Sequence, residues 1–399
     1  MSGVLNNTYT DVTFSLNRHT AALGKLQEQM ATGSHINRAS DDPTGAYRVL
    51  GLSTQERALS NHMANVQEAS DLIQSTSMAI EDMSGAMAQA KVNLTQIVSG
   101  TYGDGATGQQ ARSRMAGYID DTLEQMVLSA NTQVLGQYVF GGNASNTAPY
   151  TVTRSDGQIT SVTYAGSEQN RDVELSPGVT TTVFETGSGV FQNSDRGTPV
   201  VDSVTGAGIG SGTSSVTGDA WLTVTNDGTN YKLSIDGGTT EVTVPLVGDV
   251  SNMAVTNAAG KVLYVDATNL SSTGLDMVRV PGTYDAFNVL LNLRDLLLNT
   301  QDLSESQQVS LIEASSASLQ ELTEILAEKQ VTLGSSIGFL ENHRERLDGI
   351  RFNVQSERSQ VEEADIAQIA IDLSRHEVLY QMSLQIASKL MSTSLLDFI

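Results

Sequence analysis

With 399 residues the chain is long enough for two or three domains, and its formal net charge is −23 with only 22 Lys and Arg residues. This charge excludes nucleic acid and anionic membrane surfaces as partners, because phosphate groups are bound by clustered Lys and Arg. The chain has no cysteine, which excludes disulfides and thiolate chemistry. Aromatic residues make up only 5% of it, which favours long helices with narrow apolar stripes over one large core.

Neither a cleaved signal peptide nor a membrane span is predicted. Residues 1–30 lack an apolar core followed by a cleavage site, and the sequence has no run of about 18 apolar residues.

The first predicted helix has apolar residues at alternating intervals of four and three, the spacing of one side of a coiled coil. It ends near Thr32. The residues of this stripe are Leu5, Tyr9, Val12, Leu16, His19, Leu23, Leu26 and Met30.

Residues 30–43 are predicted to form an ordered hinge between the first two helices. Gly33 suits the left-handed position that ends a helix. Pro43 suits the first position of the next helix, with Asp42 as its N-cap and Asp41 adding negative charge at the same helix terminus.

Two matched heptad stripes predict a long antiparallel helical hairpin, because a lone helix cannot hide such a stripe from water. The second helix, which is predicted to stop at Gly100, carries one stripe and a late helix carries the other. The stripes are Leu52, Leu59, Val66, Ile73, Ile80, Met87 and Leu94, and Ile312, Leu319, Leu326, Leu333, Leu340, Leu347 and Val354.

Between these stripes the composition changes to that of β-structure. A third helix is predicted over 109–135 and a short strand within 136–142. From about residue 143 to 282, Gly, Ser, Thr, Val and Asp dominate, with Asp-Gly turns such as those at Asp227 and Asp236. Residues 205–218 are rich in Gly and Ser and are predicted to form a flexible loop.

Helix is predicted to resume at Tyr284, to break near residues 303–306 and to end with a final helix over 362–396. The final helix has an apolar face too broad for one partner, so the two terminal helices are expected to pair and then to pack against other subunits. One stripe comprises Ile366, Ala370, Leu373, Tyr380, Leu384, Ala387 and Met391, passing Glu377, and the residues that widen the face are Ile369, Leu379, Met382, Ile386 and Leu390.

These elements predict an α+β fold: an elongated rod of long antiparallel helices formed by both chain ends, coiled-coil-like, with an inserted β-rich domain. Three domains are expected. Residues 1–40 with 360–399 form a terminal inner coiled coil, residues 41–143 with 284–359 form a helical rod, and residues 144–283 form an outer β-rich domain.

The sequence points to no catalytic, cofactor or metal site. The five histidines have no metal-ligand spacing, and the alternating glycines of residues 206–212 lack the context of a phosphate-binding loop. Capping of the second helix accounts for Asp41 and Asp42.

Several segments resemble the bacterial flagellin-like axial proteins, over the whole length of the chain. Residues 29–43, which include Ser40-Asp41-Asp42-Pro43, are similar to the N-terminal hinge of that family. Residues 130–142 resemble its signature at the end of the third helix. Residues 162–166 and 189–191 resemble its β-domain, and the ending at residues 394–399 resembles a hook-filament junction subunit more than a flagellin.

The resemblance implies a nonenzymatic structural adaptor that joins the hook-side junction protein to the flagellin filament. It also implies type III export without a cleaved signal peptide, an extracellular position at the junction, and no cofactor. Lateral copies of the chain, the other junction protein and flagellin are the expected partners, together with an export chaperone at the C-terminal helix. Residues 5–30 and 366–391 would be the inner helices.

Three alternatives remain open. The nearest is a minor flagellin that forms part of the filament, against which Pro43 and the ending at Ile399 argue. The others are a protease or an adhesin carried on a flagellin-like frame.

Overall fold

The computed structural model describes residues 2–98, 106–192 and 196–396, and for residues 2–9, 98, 106 and 390–396 it describes the backbone alone. Helices and antiparallel strands both occur, which confirms the predicted α+β class. The helices are α1 Ser2–Thr32, α2 Pro43–Val98, α3 Ala106–Ala130, α4 Gly187–Phe191, α5 Ala286–Leu297, α6 Glu305–Glu362 and α7 Ile366–Leu396, with a short 3-10 helix at Gly142–Ala144.

The chain divides into two compact units, Met1–Asn65 with His343–Ile399, and Val66–Asn342. In the first unit α1 lies along α7, and the start of α2 is joined to the end of α6. Two ion pairs make this second connection: Arg48 with Glu357 and Arg358 with Glu56, each with a nitrogen–oxygen distance of 2.5 Å.

Both heptad stripes are buried along their whole length, as predicted for an antiparallel hairpin. Within the second unit, Lys91 of α2 also donates a hydrogen bond to the side chain of Gln320 on α6. A capping box begins α6, in which the Ser304 hydroxyl and backbone N–H both bond to the Gln307 side chain, at 2.6 and 3.1 Å.

The inserted β-region consists of one five-stranded sheet, one three-stranded sheet and three hairpins in the described residues. The strands are β1 Gln133–Val134, β2 Gln137–Tyr138, β3 Tyr150–Ser155, β4 Gln158–Tyr164, β5 Arg171–Ser176, β6 Val179–Phe184, β7 Val200–Asp202, β8 Gly208–Ile209, β9 Gly218–Asn226, β10 Tyr231–Ser234, β11 Val242–Thr243, β12 Met253–Thr256, β13 Val262–Asp266 and β14 Gly274–Val280.

The five-stranded sheet has the order β11-β10-β9-β14-β7 and the three-stranded sheet the order β12-β13-β8, and all pairs are antiparallel. One apolar core joins the two sheets, and it includes Leu222, Leu233, Leu263 and Val278. Asp227 and Asp236 accept backbone hydrogen bonds within their turns, the role predicted for them.

A buried arginine fixes α5 against α3 and the β3–β4 hairpin. The Arg294 side chain is 5% exposed and donates to Asp120 of α3 at 2.9 Å and to the carbonyl of Ile159 on β4 at 2.6 Å. It also pairs with Asp295 at 2.8 Å. One side chain therefore holds three elements together.

The predicted third helix was wrong at its C-terminal end, because α3 ends at Ala130 and not at Leu135. Leu135 and Gly136 both have positive φ, 52° and 78°, and form the tight turn between β1 and β2. The side chain of Asn131 exchanges two 3.0 Å hydrogen bonds with the backbone of Tyr150. These bonds hold the chain just after the helix end in a non-helical path.

The predicted flexible loop over 205–218 was also wrong. Gly208–Ile209 forms β8, and Thr205 is fully buried. Asp276 accepts hydrogen bonds from the backbone of Val204 and Thr205, at 2.7 and 3.1 Å, which anchors the start of the segment. Small residues are present because other chain segments approach closely; a Cβ at Gly212 would overlap the ring of Tyr264.

Candidate functional site: the terminal helix pair and its junction

We call α1 and α7 the terminal helix pair. The half-buried residues of α1 repeat at intervals of three and four and lie on the side that faces α7. They include the predicted stripe residues Val12, Leu16, His19, Leu23 and Leu26.

The remaining predicted residues of that stripe differ. Met30 is 47% exposed, at the end of the helix. Leu5 and Tyr9, and Leu390 on α7, lie outside the residues whose side chains the structure describes.

On α7 the stripe that faces α1 is only partly the predicted one. Leu373, Tyr380 and Ala387 are half-buried as expected, but the stripe also contains Ile369, which is 7% exposed, and His376. Ile366, Leu384 and Ile386 are 46%, 45% and 50% exposed. The apolar face is broad enough to allow neighbouring stripes, and the one that faces α1 includes the contact between His376 and His19.

A second apolar face of α7 is exposed in the part of the chain that the structure describes. Ile371, Val378 and Met382 follow one another at intervals of seven and four residues and are 63%, 55% and 53% exposed. Such spacing places them along one side of the helix. Contiguous exposed apolar residues of this kind mark a surface that binds another protein.

The two connections that lead into the terminal helix pair are bonded to each other. We call these connections, residues 33–42 and 363–365, the junction. Ser34 and Glu363 form an antiparallel β-bridge, in which His35 N donates to the carbonyl of Glu362 at 2.7 Å and Ala364 N donates to that of Gly33 at 3.0 Å. The α1–α2 connection and the α6–α7 connection are therefore held together by backbone hydrogen bonds.

Side chains reinforce this bridge. The Ser34 hydroxyl donates to the carbonyls of Ile36 and Glu362, at 2.9 and 3.2 Å. Gln29, 5% exposed on α1, donates through Nε2 to the carbonyl of His35 at 2.7 Å. The sequence predicted Ser34 as a turn residue of the hinge but gave no sign of these contacts or of the role of Gln29, because polar residues at these positions carry no periodic signal.

Gly33 has the left-handed conformation that its sequence position predicts, with φ +70°, and its N–H donates to the carbonyl of Gln29 at 2.9 Å. Asp42 caps α2 by accepting from Thr44 N at 3.1 Å, and Pro43 is the first residue of that helix.

Asp41 makes contacts that were not predicted, in addition to placing negative charge near the start of α2. Its carboxylate bonds to the loop, accepting from Arg38 N at 2.9 Å and Asn37 N at 3.3 Å, and it pairs with Lys25 of α1 at 3.2 Å. The hydrogen bond from Arg38 N, followed by that from Lys25, holds the pKa of Asp41 below its ordinary value. Asp41 thus ties the loop to the terminal helix pair.

A buried glycine allows the loop to fold onto the start of α2. A Cβ at Gly45 would lie 2.5 Å from Ile36 Cδ1 and would also overlap the carboxylate of Asp42. A larger residue there would require the side chains of Ile36 and Asp42 to move, which is a signal that spacing alone does not give.

The described parts of the chain contain no cluster of metal-binding side chains and no helix able to span a membrane. Over residues 2–98, 106–192 and 196–396, no group of three or more His, Asp or Glu side chains is arranged to hold a metal ion. Within the same ranges, no helix combines the length and the apolar character needed to cross a membrane.

Comparison with known proteins connects this arrangement to the flagellum. Residues 5–145 match the bacterial flagellin N-terminal helical region. The chain is 31% identical over 107 residues to the flagellar filament 41 kDa core protein of Borreliella burgdorferi, covering 26% of this chain and 32% of that protein. It is 24% identical over 170 residues to flagellar hook-associated protein 3 of Salmonella typhimurium, covering 42% and 50%.

The alignments thus span between a third and a half of the length of these curated relatives. Among solved structures, hook-associated protein 3 of Legionella pneumophila has a similar fold, with a TM-score of 0.52 at 15% identity, covering 78% of this chain and 98% of that one. Residues 5–145 therefore match the bacterial flagellin N-terminal helical region, and the chain has a fold similar to that of hook-associated protein 3.

Proposed function

We propose that the chain is a structural adaptor subunit of the bacterial flagellum, which joins the hook-side junction protein to the flagellin filament. The observation that carries this proposal is the uncovered apolar face of α7, defined by Ile371, Val378 and Met382, on a helix already paired with α1. A helix that keeps a second apolar face exposed after pairing is built to bind further subunits. The names of the relatives with similar sequence and fold support the flagellar context.

Heterologous contacts between copies give open helical arrays, and a subunit at the end of such an array meets a different protein on each side. The proposed partners are lateral copies of this chain, the other junction protein and flagellin. We further propose that an export chaperone covers the C-terminal helix before assembly, since an exposed apolar helix would otherwise associate too early. The role is nonenzymatic, and the subunit acts outside the cell after export without a cleaved signal peptide.

The domain organisation proposed from the sequence accompanies this role. Residues 1–40 with 360–399 form the inner coiled coil, residues 41–143 with 284–359 form the rod, and residues 144–283 form the outer domain. The predicted interface residues of the inner helices fall into two groups in this proposal: half-buried ones such as Leu23 and Leu373, which pair α1 with α7, and exposed ones such as Ile366, Leu384 and Ile386, which meet other subunits.

Deletion of the gene tests the proposal directly. Electron microscopy of the deletion strain should show hooks without filaments, and unpolymerised flagellin should accumulate in the medium. Return of the intact gene should restore filaments. Normal filaments in the deletion strain would overturn the adaptor role and would point instead to a minor flagellin.

A further inference from the structure

Two histidines face each other across the terminal helix pair. Nδ1 of His19 on α1 lies 3.2 Å from Nδ1 of His376 on α7. The ring centroids are 5.4 Å apart with an angle of 56° between the ring planes, and both residues are half-buried. The two helices are thus connected through one nitrogen of each imidazole.

This contact is compatible with only some protonation states. When both rings are neutral, the Nδ1–H of one donates to the bare Nδ1 of the other. One added proton is taken up at the outer nitrogen of the donor ring and makes the same hydrogen bond charge-assisted. A second proton must go to the accepting Nδ1, and two N–H groups then point at each other between two positive rings.

The charged groups around the pair do not remove the clash between the two facing N–H groups. Asp372 precedes His376 by one helical turn and lines the same groove, and its carboxylate also accepts a hydrogen bond from Gln368 at 3.1 Å. A carboxylate there favours a positive ring but leaves the two N–H groups pointing at each other. The other titratable groups next to the two histidines or lining that groove are Arg18, Lys25 and His35 on the α1 side and Asp365, Arg375, Glu377 and Tyr380 on the α7 side. They include groups of both signs: Arg18 and Arg375 adjoin the two histidines in the sequence, and Glu377 adjoins His376.

We propose that His19 and His376 form a pH-sensitive clasp between α1 and α7, which is closed while the pair holds at most one added proton and open when both rings are charged. The closed pair binds at most one added proton and the separated helices bind two, so a fall in pH favours separation. Histidine in general changes its charge between pH 5 and 8, so the clasp is tested by measurements near the two ends of that range.

Hydrogen exchange of the full-length chain at pH 7.5 and pH 5.0, corrected for the intrinsic pH dependence of amide exchange, tests the clasp. The opening equilibrium constant of peptides from α1 and α7 should be about tenfold larger at pH 5.0. This is the change that one additional bound proton in the open state produces over one pH unit. His376→Asn keeps a hydrogen-bonding group near the position of Nδ1 but cannot become charged. This variant should have the same protection at both pH values.

His62→Asn on α2 is the matched control and should retain the wild-type pH dependence. If His376→Asn destabilises the helix pair at both pH values, the same comparison is made with His19→Asn, which leaves the α7 ring in place. That variant should also have the same protection at both pH values. A wild-type chain whose α1 and α7 peptides are unprotected at pH 7.5, or equally protected at both pH values, overturns the proposal. So does a pH-dependent loss of protection that persists in both Asn variants.

The clasp is measured on the purified chain and the adaptor role in cells. If the wild-type chain shows no pH effect but the deletion strain has hooks without filaments, the clasp alone is overturned. If the wild-type chain shows the pH effect but the deletion strain has normal filaments, the adaptor role alone is overturned.

Discussion

Ser34 and Glu363 lie 329 residues apart in the sequence, yet their backbones pair as an antiparallel β-bridge. The bridge brings together the connection from α1 to α2 and the connection from α6 to α7. Any change that loosens residues 33–42 is therefore expected to affect both terminal helices, although only one of them adjoins that loop.

Gly33→Ala tests the backbone conformation at the junction. The position has φ +70°, and nothing lies within 4 Å of the added Cβ, so the effect comes from conformation and not from a clash. The left-handed conformation costs an alanine about 1–2 kcal/mol more conformational free energy than it costs a glycine. Hydrogen exchange of residues 29–42 should therefore report opening that is easier by that amount.

Gly51→Ala is the matched control for this change. Gly51 lies within α2, also with nothing near its Cβ position, and alanine should there stabilise the helix by up to about 1 kcal/mol. Equal effects of the two substitutions would contradict the assigned role of Gly33.

The carboxylate of Asp41 should make the junction sensitive to acid. Its pKa is lowered in the folded chain by the Arg38 N–H and by Lys25, so its contribution to stability is present above the ordinary value of 3.8 and is lost as the pH falls through the lower folded value. Exchange protection of residues 33–42 should fall in strong acid in the wild type. In Asp41→Asn the protection should be weaker at neutral pH and should change less in acid.

Asp11→Asn, at an exposed position of α1, provides the comparison and should behave as the wild type does. A junction that stays equally protected down to pH 2.5 in the wild-type chain would rule out the role given to Asp41.

Arg294→Leu should destabilise the second unit strongly. The substitution leaves Asp120 without its cation and the carbonyl of Ile159 without its donor, in a region where the arginine is only 5% exposed. Removal of one partner of a buried ion pair is expected to destabilise by about 3–5 kcal/mol. The decrease in the free energy of unfolding is measured by urea titration, with hydrogen exchange of α3 and α5 as the signal.

Arg154→Leu removes a comparable ion pair, with Glu124, but there the arginine side chain is 42% exposed. Exposed pairs are weak, so this change should be much smaller than that of Arg294→Leu. Similar losses for the two variants would show that Arg294 does not hold three elements together.

Val378→Asp tests the uncovered face of α7. The side chain is 55% exposed, so the substitution should leave the circular dichroism of the purified chain unchanged while it places a charge on the proposed interface. In the deletion strain this variant should fail to restore filaments. Gln381→Asp, at another exposed position of the same helix, should restore them. Full swimming with Val378→Asp would exclude this face from assembly.

Long-range periodicity made the helical part of the fold predictable from the sequence. Every residue of the two heptad stripes, from Leu52 to Leu94 and from Ile312 to Val354, is buried, because a repeat of seven has only one way to face a partner helix. The broad apolar face of α7 allowed more than one choice, and the stripe that faces α1 includes a polar residue, His376. A hydrophobic pattern cannot identify such a contact.

Local composition was a weaker guide in the β-region. The Gly and Ser residues of the segment that contains β8 suggested a loop, but some of them are required by close approach of other chain segments, as Gly212 is by Tyr264. Arg294 was overlooked because a single basic residue in an apolar helix has no pattern, and its importance depends on partners 135 and 174 residues away in the sequence.

The long sequence separation within the junction also determines when it can form. Contacts between residues far apart in a chain follow those between near neighbours, since the intervening segment must first be brought together. The β-hairpins and the α3–α5 contact are available earlier, whereas the β-bridge requires both Ser34 and Glu363. During synthesis or passage from the N-terminus onward, α1 cannot pair with α7 until α7 has emerged. The arrival of α7 therefore decides when the terminal helix pair can form.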